Sequence, residues 1–368
     1  GLPTNLKYTD YQNGTNDNIL ILNSTIKGFF NEVNSYIKEG TSLSQLSQMP
    51  IEQAQTYVVD ERIDVAQVLA AYKSLQGVEK FATQDSMTAK EAMDFILDNN
   101  NPAKKALAQF YGYEIGQVNF LPVSKIVVPV NKENAVKYGI VSAKDRAKIA
   151  DHIIVNIDKR TLYKADLMML SLLANYNWDR ALYFSGGGVY DNSNIFYLQD
   201  YLEYAGLSYK FVPIYNKFGS GGQIGNSNTD ALWKTYNQFK WGGFNNPDAS
   251  FSQTERNYAS SFRNVGIRLA EDLINEGKKN EAEKVLDKLM QEVPAWPEYG
   301  YGLNIGRIAG VYSALGNSAK AKQLIDFSTK GLEENKKYLE SIQGKVSGTV
   351  KSELNSVTND LMMLSYNE

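Results

Sequence analysis

Apolar residues recur at three- and four-residue spacing through Ile26, Phe29, Phe30, Val33 and Ile37, which predicts a first helix. Asn23 or Ser24 stands where a cap belongs, and Gly40 ends the pattern. Residues 1–20 carry turn signals at Asn13-Gly14 and Asn16-Asp17 and read as irregular. Further helices are predicted across Pro50–Leu75 and Thr88–Leu97, the latter opened by Ser86 or Thr88. Asn99-Asn100-Asn101-Pro102 then breaks the rhythm.

From Val118 the pattern changes. Phe120–Val130 is rich in β-formers, and Pro122 and Pro129 mark it as an edge strand. Ser142–Ala150 suits a short helix, Ile153–Ile157 a strand, Ala165–Ala174 a helix and Arg180–Phe184 a strand. Ile195–Ala205 reads as helical up to Gly206, Ser208–Ile214 as a strand, and Gly/Ser/Asn-rich Phe218–Ser227 as a mobile loop. Strands alternating with helices argue for an α/β body, a mixed sheet with flanking helices, over residues 1–248 including the helical N-terminal extension.

Residues 249–368 are helical and repetitive. Glu276-Gly277-Lys278-Lys279-Asn280-Glu281-Ala282 with Val285-Leu286 returns as Leu315-Gly316-Asn317-Ser318-Ala319-Lys320-Ala321 with Leu324-Ile325, 39 residues later. A glycine between two helices and a small alanine at their contact, repeated at a period near ~34, mark a tetratricopeptide-like all-α tail. Pro294–Tyr299 supplies the extra length. Two repeats leave open faces, which Val346–Leu364 as a closing helix and the α/β part would cover.

Composition then removes whole classes of chemistry. The chain has no cysteine and a single histidine, His152, so disulfides, Cys-ligated zinc, thiol nucleophiles and a site built on paired histidines are excluded. The 38 Lys and Arg against 41 Asp and Glu give a net charge of −3 with no basic block, which argues against nucleic acid as a partner. The longest apolar run, Leu167–Ala174, falls short of the ~18 residues that a membrane span needs. No leader peptide pattern opens the sequence, and a start on Gly1 rather than Met suggests a processed or engineered fragment, which leaves export and truncation both open.

Candidate chemistry is sparse. Ser185-Gly186-Gly187-Gly188 lacks both the dinucleotide and the P-loop pattern and reads as a glycine turn rather than a phosphate cradle. Asp158, Asp166, Asp179, Asp191, Asp200 and Glu203 could supply a hydrolytic carboxylate pair, but spacing alone pairs none of them. No metal-ligand spacing occurs, and no cofactor is expected. Aromatics are abundant, with 24 Tyr, 15 Phe and 4 Trp. They gather at Tyr176, Trp178 and Tyr183, at Trp233, Tyr236, Phe239 and Trp241, and between the repeats at Trp296, Tyr299 and Tyr301. Such rings either staple helices or stack on sugars while polar neighbours bind hydroxyls.

Several runs, taken in order, carry a resemblance: Pro129-Val130-Asn131-Lys132-Glu133-Asn134, Gly139–Asp145, Leu162–Leu170, Asn177-Trp178-Asp179-Arg180-Ala181-Leu182-Tyr183-Phe184, Val212-Pro213-Ile214 and Phe239–Gly243. Over residues 86–294, with Leu2-Pro3 and Tyr11–Asp17, the chain resembles the C-terminal soluble region of bacterial polytopic membrane proteins. These are related to protein O-mannosyltransferase-like glycosyltransferases that use lipid-linked sugars. Residues 19–80 lie outside the resemblance. Ala181 replaces the family's Pro, Ala165 its Asn, Ser171 its acid, and Gly186–Gly188 its Gly-poor strand end.

The resemblance implies a non-catalytic extracytoplasmic domain tethered to the inner membrane, with the catalytic acid in a loop between membrane helices outside this sequence. Its partners would be its own membrane-embedded portion and a protein or glycan acceptor. From the aromatic clusters themselves, the residues expected to contact an acceptor or glycan are Trp296, Tyr299 and Tyr301, then Trp178, Arg180 and Trp241. The rings would stack on a sugar or peptide, and Arg180 would pair with an acidic group. A stand-alone exported adaptor holding a peptide in its helical repeats is the main alternative, and a soluble carbohydrate hydrolase ranks below it.

Overall fold

A computed structural model describes residues 19–110, 119–216, 223–296, 302–342 and 349–365. The chain divides into two compact units. Unit 1 holds residues up to Leu202 together with Phe211–Ile224, and unit 2 holds Glu203–Lys210 and the chain from Gly225 onward.

Unit 1 begins with β1 (Ile19–Ile21), which pairs in parallel with β3 (Asn119–Leu121) and antiparallel with β6 (Thr161–Leu162). Only these distant partners make Ile19–Ile21 a strand, so its local sequence reads as irregular. Helix α1 (Asn23–Ser35) follows, and Leu22 rather than Asn23 or Ser24 occupies its cap position, with no side-chain cap bond. Short helices α2 (Leu43–Leu46) and α3 (Ile51–Gln55) precede α4 (Val65–Ser74) and α5 (Lys80–Thr83). Pro50–Leu75 is thus two helices with a turn between them.

A second sheet is built from β2 (Ser86–Thr88), β4 (Lys125–Pro129) and β5 (His152–Asn156), in the order β2-β4-β5. Strand β4 is central, parallel to β2 and antiparallel to β5, and not at an edge. The two prolines are compatible with this because Pro122 precedes the strand and Pro129 closes it, so no interior amide is lost. Alternation then sorts the faces. Ile126, Val128, Ile153 and Val155 are wholly buried, while Lys125, Pro129, His152 and Ile154 face outward.

Helix α6 (Ala89–Leu97) covers the buried face. Thr88 opens it with a reciprocal capping box to Glu91, worth about 1 kcal/mol. Helices α7 (Pro102–Phe110), α8 (Lys132–Lys137) and α9 (Lys164–Ala174) and strand β7 (Tyr183–Ser185) complete the unit, and α9 packs on α6.

The helix expected over Ile195–Ala205 is not formed. Ile195, Leu198 and Leu202 do mimic helical spacing, but Phe196 and Tyr197 adopt φ of 53° and 58°. Asn192 ties the turn by accepting backbone bonds from Tyr197 and Gln199. The segment ends in strand β8 (Leu202–Tyr204), which leads through a tight turn into β9 (Ser208–Phe211).

In unit 2, β10 (Asn226–Ser227) pairs in parallel with β8. Helices α10 (Thr229–Asn237), α11 (Gln253–Asn275), α12 (Lys279–Glu292), α13 (Gly302–Ala314), α14 (Ser318–Ile342) and α15 (Thr349–Ser365) follow. The repeat read from the sequence is also a repeat of geometry. After α11, Gly277 has φ 78° and the Lys278 amide reaches back to the Leu273 carbonyl at 2.8 Å. After α13, Gly316 has φ 86° and the Asn317 amide reaches the Tyr312 carbonyl at 2.9 Å. Both are glycine C-terminal motifs that satisfy carbonyls left over at a helix end. Ala282 and Ala321, both buried, hold equivalent places one turn into the following helices.

Candidate functional site

Two cavities concentrate the features singled out in the sequence, one in each unit. The first lies where β4 ends. Pro129 stops the strand, and Asn131 caps α8 by accepting from the Asn134 amide at 3.0 Å. From the other side the chain leaves α9 through Asn175, whose amide group donates to the Ser171 carbonyl, and then passes through Tyr176, Asn177 and Trp178.

The two loops are laced together. Asn131 donates to the Asn177 side-chain oxygen at 3.2 Å, and Asn134 donates to the Asn177 carbonyl at 2.9 Å. Trp178 is wholly buried, donates its Nε1–H to the Pro129 carbonyl at 2.8 Å, and stacks on Phe211 at 5.0 Å. Its φ of 58° lies in the left-handed region, a strain of about 1–3 kcal/mol that the indole's packing and hydrogen bond offset.

The resulting cleft measures about 420 Å³ and is lined by Pro129–Glu133 and Tyr176–Trp178. Its polar groups are set rather than loose. Lys132 pairs with Asp151 at 2.8 Å, and that hydrogen bond holds the Asp151 carboxyl below the usual range. Burial, then the charge of Asp179, push the Tyr176 hydroxyl up, so it stays protonated and donates to the Arg180 carbonyl at 2.7 Å. Glu133 and Asn177 remain exposed at the rim. Amides and a carboxylate around an apolar floor can orient a small polar ligand by hydrogen bonding.

The second cavity, about 380 Å³, lies in the helical unit. Met290, Pro294, Ala295 and Trp296 form one side, and Tyr312, Lys320, Gln323, Leu324 and Phe327 the other. The Lys320 ammonium is held by Glu283 at 2.9 Å and Asp287 at 2.7 Å, and Asp287 also accepts from the Tyr312 hydroxyl at 2.9 Å. Those two carboxylates raise the affinity of Lys320 for its proton, and Lys320 in turn lowers that of Glu283. Beneath this groove the buried Arg263 donates to the Pro294 carbonyl at 2.6 Å and fixes the segment that carries Trp296.

The six aromatic and basic residues singled out in the sequence thus separate. Trp296 lines the helical groove, whereas Tyr299 and Tyr301 lie outside the described residues. Trp178 anchors the first cleft from beneath, and its buried ring offers no face for a ligand to stack on. Arg180 is exposed beside it. Trp241 sits in a ring cluster with Tyr236, Phe239 and Phe262 at centroid distances of 5.1–5.5 Å, packing α10 onto α11. Asn131, Asn134 and Asn177, which lace the cleft, are not among those six residues. The available signal was an asparagine at the end of each of two separate runs.

Three of the candidate carboxylates have local partners: Asp166 with Lys159 at 2.5 Å, Asp191 with Ser193 at 2.7 Å and Glu203 with Lys210 at 2.6 Å. Gly186–Tyr190 is a short 3₁₀ helix in which no glycine adopts positive φ. Among the described residues no group of three or more His, Asp or Glu is placed to hold a metal ion, and no helix is long and apolar enough to cross a membrane.

Comparison with known families matches residues 1–231 to the model described as TMEM260-associated domain 2. The match includes residues 19–80, which the motif resemblance had left aside. No curated protein and no solved structure matches the chain.

Proposed function

The chain belongs to the TMEM260-associated domain 2 family, and from that premise we propose that it is a non-catalytic accessory domain that positions an acceptor, protein or glycan, for a membrane-embedded partner. TMEM260 is a membrane-protein family, which is compatible with a membrane-associated parent protein. The tethered, extracytoplasmic setting and the glycosyltransferase character of that parent are carried by the motif resemblance alone.

The observation that supports acceptor binding is the convergence at one cleft of two of the resemblance's own runs, Pro129–Asn134 and Asn177–Phe184. Chain segments 43 to 46 residues apart are laced by three asparagines, leaving Glu133 and the Asn177 amide beside the Tyr176 ring. Planar polar groups next to a ring edge suit a hydroxylated sugar residue or a peptide backbone.

The test is titration of the full chain with peptides and with neutral oligosaccharides, followed by calorimetry. Binding that Glu133→Ala weakens about tenfold, with melting unchanged, supports the role. Silence at millimolar concentration removes it. Location is tested separately. Because the chain lacks cysteine, Tyr190→Cys in the parent protein gives a single site in this domain, and labelling of that site by an impermeant maleimide in intact cells is expected.

A further inference from the structure

The helical groove lies outside the family-matched residues and is independent of the cleft at Trp178, so its chemistry can be read by itself. Its floor is apolar. Met290, Trp296 and Leu324 line it, and Phe327 projects with 53% of its surface exposed. A half-exposed phenylalanine beside an open apolar slot is surface that a regular helix pair would normally bury. Methionine adds a side chain that adapts to what it meets.

Charge then decides what kind of ligand fits. At one end Lys320 donates three hydrogen bonds, one to Glu283 and two to Asp287. Its positive charge is used within the protein and is not offered to an acidic ligand. Lys288, on the same helix as those two carboxylates, is turned to Asn237 and the Trp241 ring. Within the Lys320 cluster two carboxylates against one ammonium leave an excess negative charge beside Lys320, the only one of the three groups that lines the cavity itself. The neighbouring Lys322–Asp326 pair, at 3.0 Å, is neutral and does not alter it. The volume suits one large side chain with its adjoining backbone rather than the face of a folded protein.

We propose that this groove docks an extended peptide segment of a partner protein, which inserts one large apolar side chain against Trp296, Leu324 and Phe327 and carries a Lys or Arg toward Glu283 and Asp287. The apolar anchor supplies affinity, and the cation sets direction and excludes acidic sequences.

The test uses the full chain and three short synthetic peptides identical except for a central Trp-Ala-Arg, Ala-Ala-Arg or Trp-Ala-Glu. By calorimetry the first binds about tenfold or more tightly than either of the others. Phe327→Ala lowers that affinity about tenfold. Glu283→Gln narrows the preference for Arg over Glu while leaving the preference for Trp over Ala. Should Phe327→Ala fail to fold, Gln323→Arg, at an exposed position on the groove wall, weakens the Arg peptide and leaves the Glu peptide unchanged.

Equal binding of the three peptides, no binding, or indifference to both groove variants overturns the proposal. Concentration-dependent dimers in sedimentation that Phe327→Ala abolishes also overturn it, because the groove is then covered by a second copy. Loss of peptide binding with acceptor binding at the Trp178 cleft intact, or the reverse, separates this proposal from the one above.

Discussion

The two units hold their cavities in opposite ways. In unit 1 the cleft wall is made of loops, and its geometry hangs on one residue, the left-handed Trp178 bonded to the Pro129 carbonyl. In unit 2 most of the groove wall is made of helices whose glycine turns and alanine contacts recur 39 residues apart, and only the Pro294–Trp296 segment, fixed by Arg263, is loop. A site on loops can bring distant segments together but concentrates its stability in an anchor. A site on repeated helices spreads that stability along a seam.

The largest expected effect tests the anchor. Trp178→Ala removes a wholly buried indole and leaves the Pro129 carbonyl unbonded, which should cost about 3–5 kcal/mol in urea denaturation. A loss below about 1 kcal/mol would erase the contrast, since Trp178 would then be one residue among many.

Alkali tests two kinds of buried group next, because Lys104 in unit 1 and the buried tyrosines of both units respond with opposite sign. Lys104 in unit 1 is buried, donates to the Ile96 carbonyl and to Asn99, and is pushed down to about 8 by desolvation, with Asp98 acting against the shift. Between that value and its unfolded 10.5 the unfolded chain binds more protons than the folded one, so stability rises with pH. In unit 2, burial raises the hydroxyls of Tyr236 and Tyr312, and above 10.0 the unfolded chain loses protons that the folded one keeps, so stability falls. Tyr176 adds to that fall from unit 1. Denaturation is expected to show a gain on the order of 2 kcal/mol from about pH 8 to pH 10 that Lys104→Met flattens, and then a decline.

Overpacking the seam should cost less than losing the anchor. A Cβ at Gly266 would stand 2.8 Å from a Leu289 methyl, and Gly266→Val is expected to lose about 1–3 kcal/mol. Ala282→Leu falls in the same range, by the same crowding. The smallest effects should be equal in the two units. Thr88→Ala in unit 1 and Ser252→Ala in unit 2 each remove a reciprocal capping box, for about 1 kcal/mol.

The same contrast explains what could be read from sequence. Helix α6 was legible through Thr88 and Glu91, and the tail through Gly277, Gly316, Ala282 and Ala321, because each signal acts within a few residues of its cause. Strand β1 and the central place of β4 were not, because partners from about 30 to about 140 residues away decide them. Nor was the turn at Phe196-Tyr197, because its apolar spacing is that of a helix while two left-handed residues tied by Asn192 break it. Of the candidate residues, Trp296 lines a cavity between the helices on either side of it, a place its inter-repeat position suggests. Trp178 was singled out for stacking on a ligand, yet it stacks on Phe211, which spacing alone does not reveal. The asparagine lacing was hidden for the same reason, since each asparagine looks like an ordinary turn residue until its partner is placed.

One consequence of the buried indole concerns time rather than energy. The Trp178 Nε1 proton is bonded to Pro129 and sealed from water, so it can exchange for deuterium only when the two loops part. Its exchange half-life, followed by nuclear magnetic resonance, is therefore a clock for how often the cleft opens, and a ligand that bridges the loops should slow that clock.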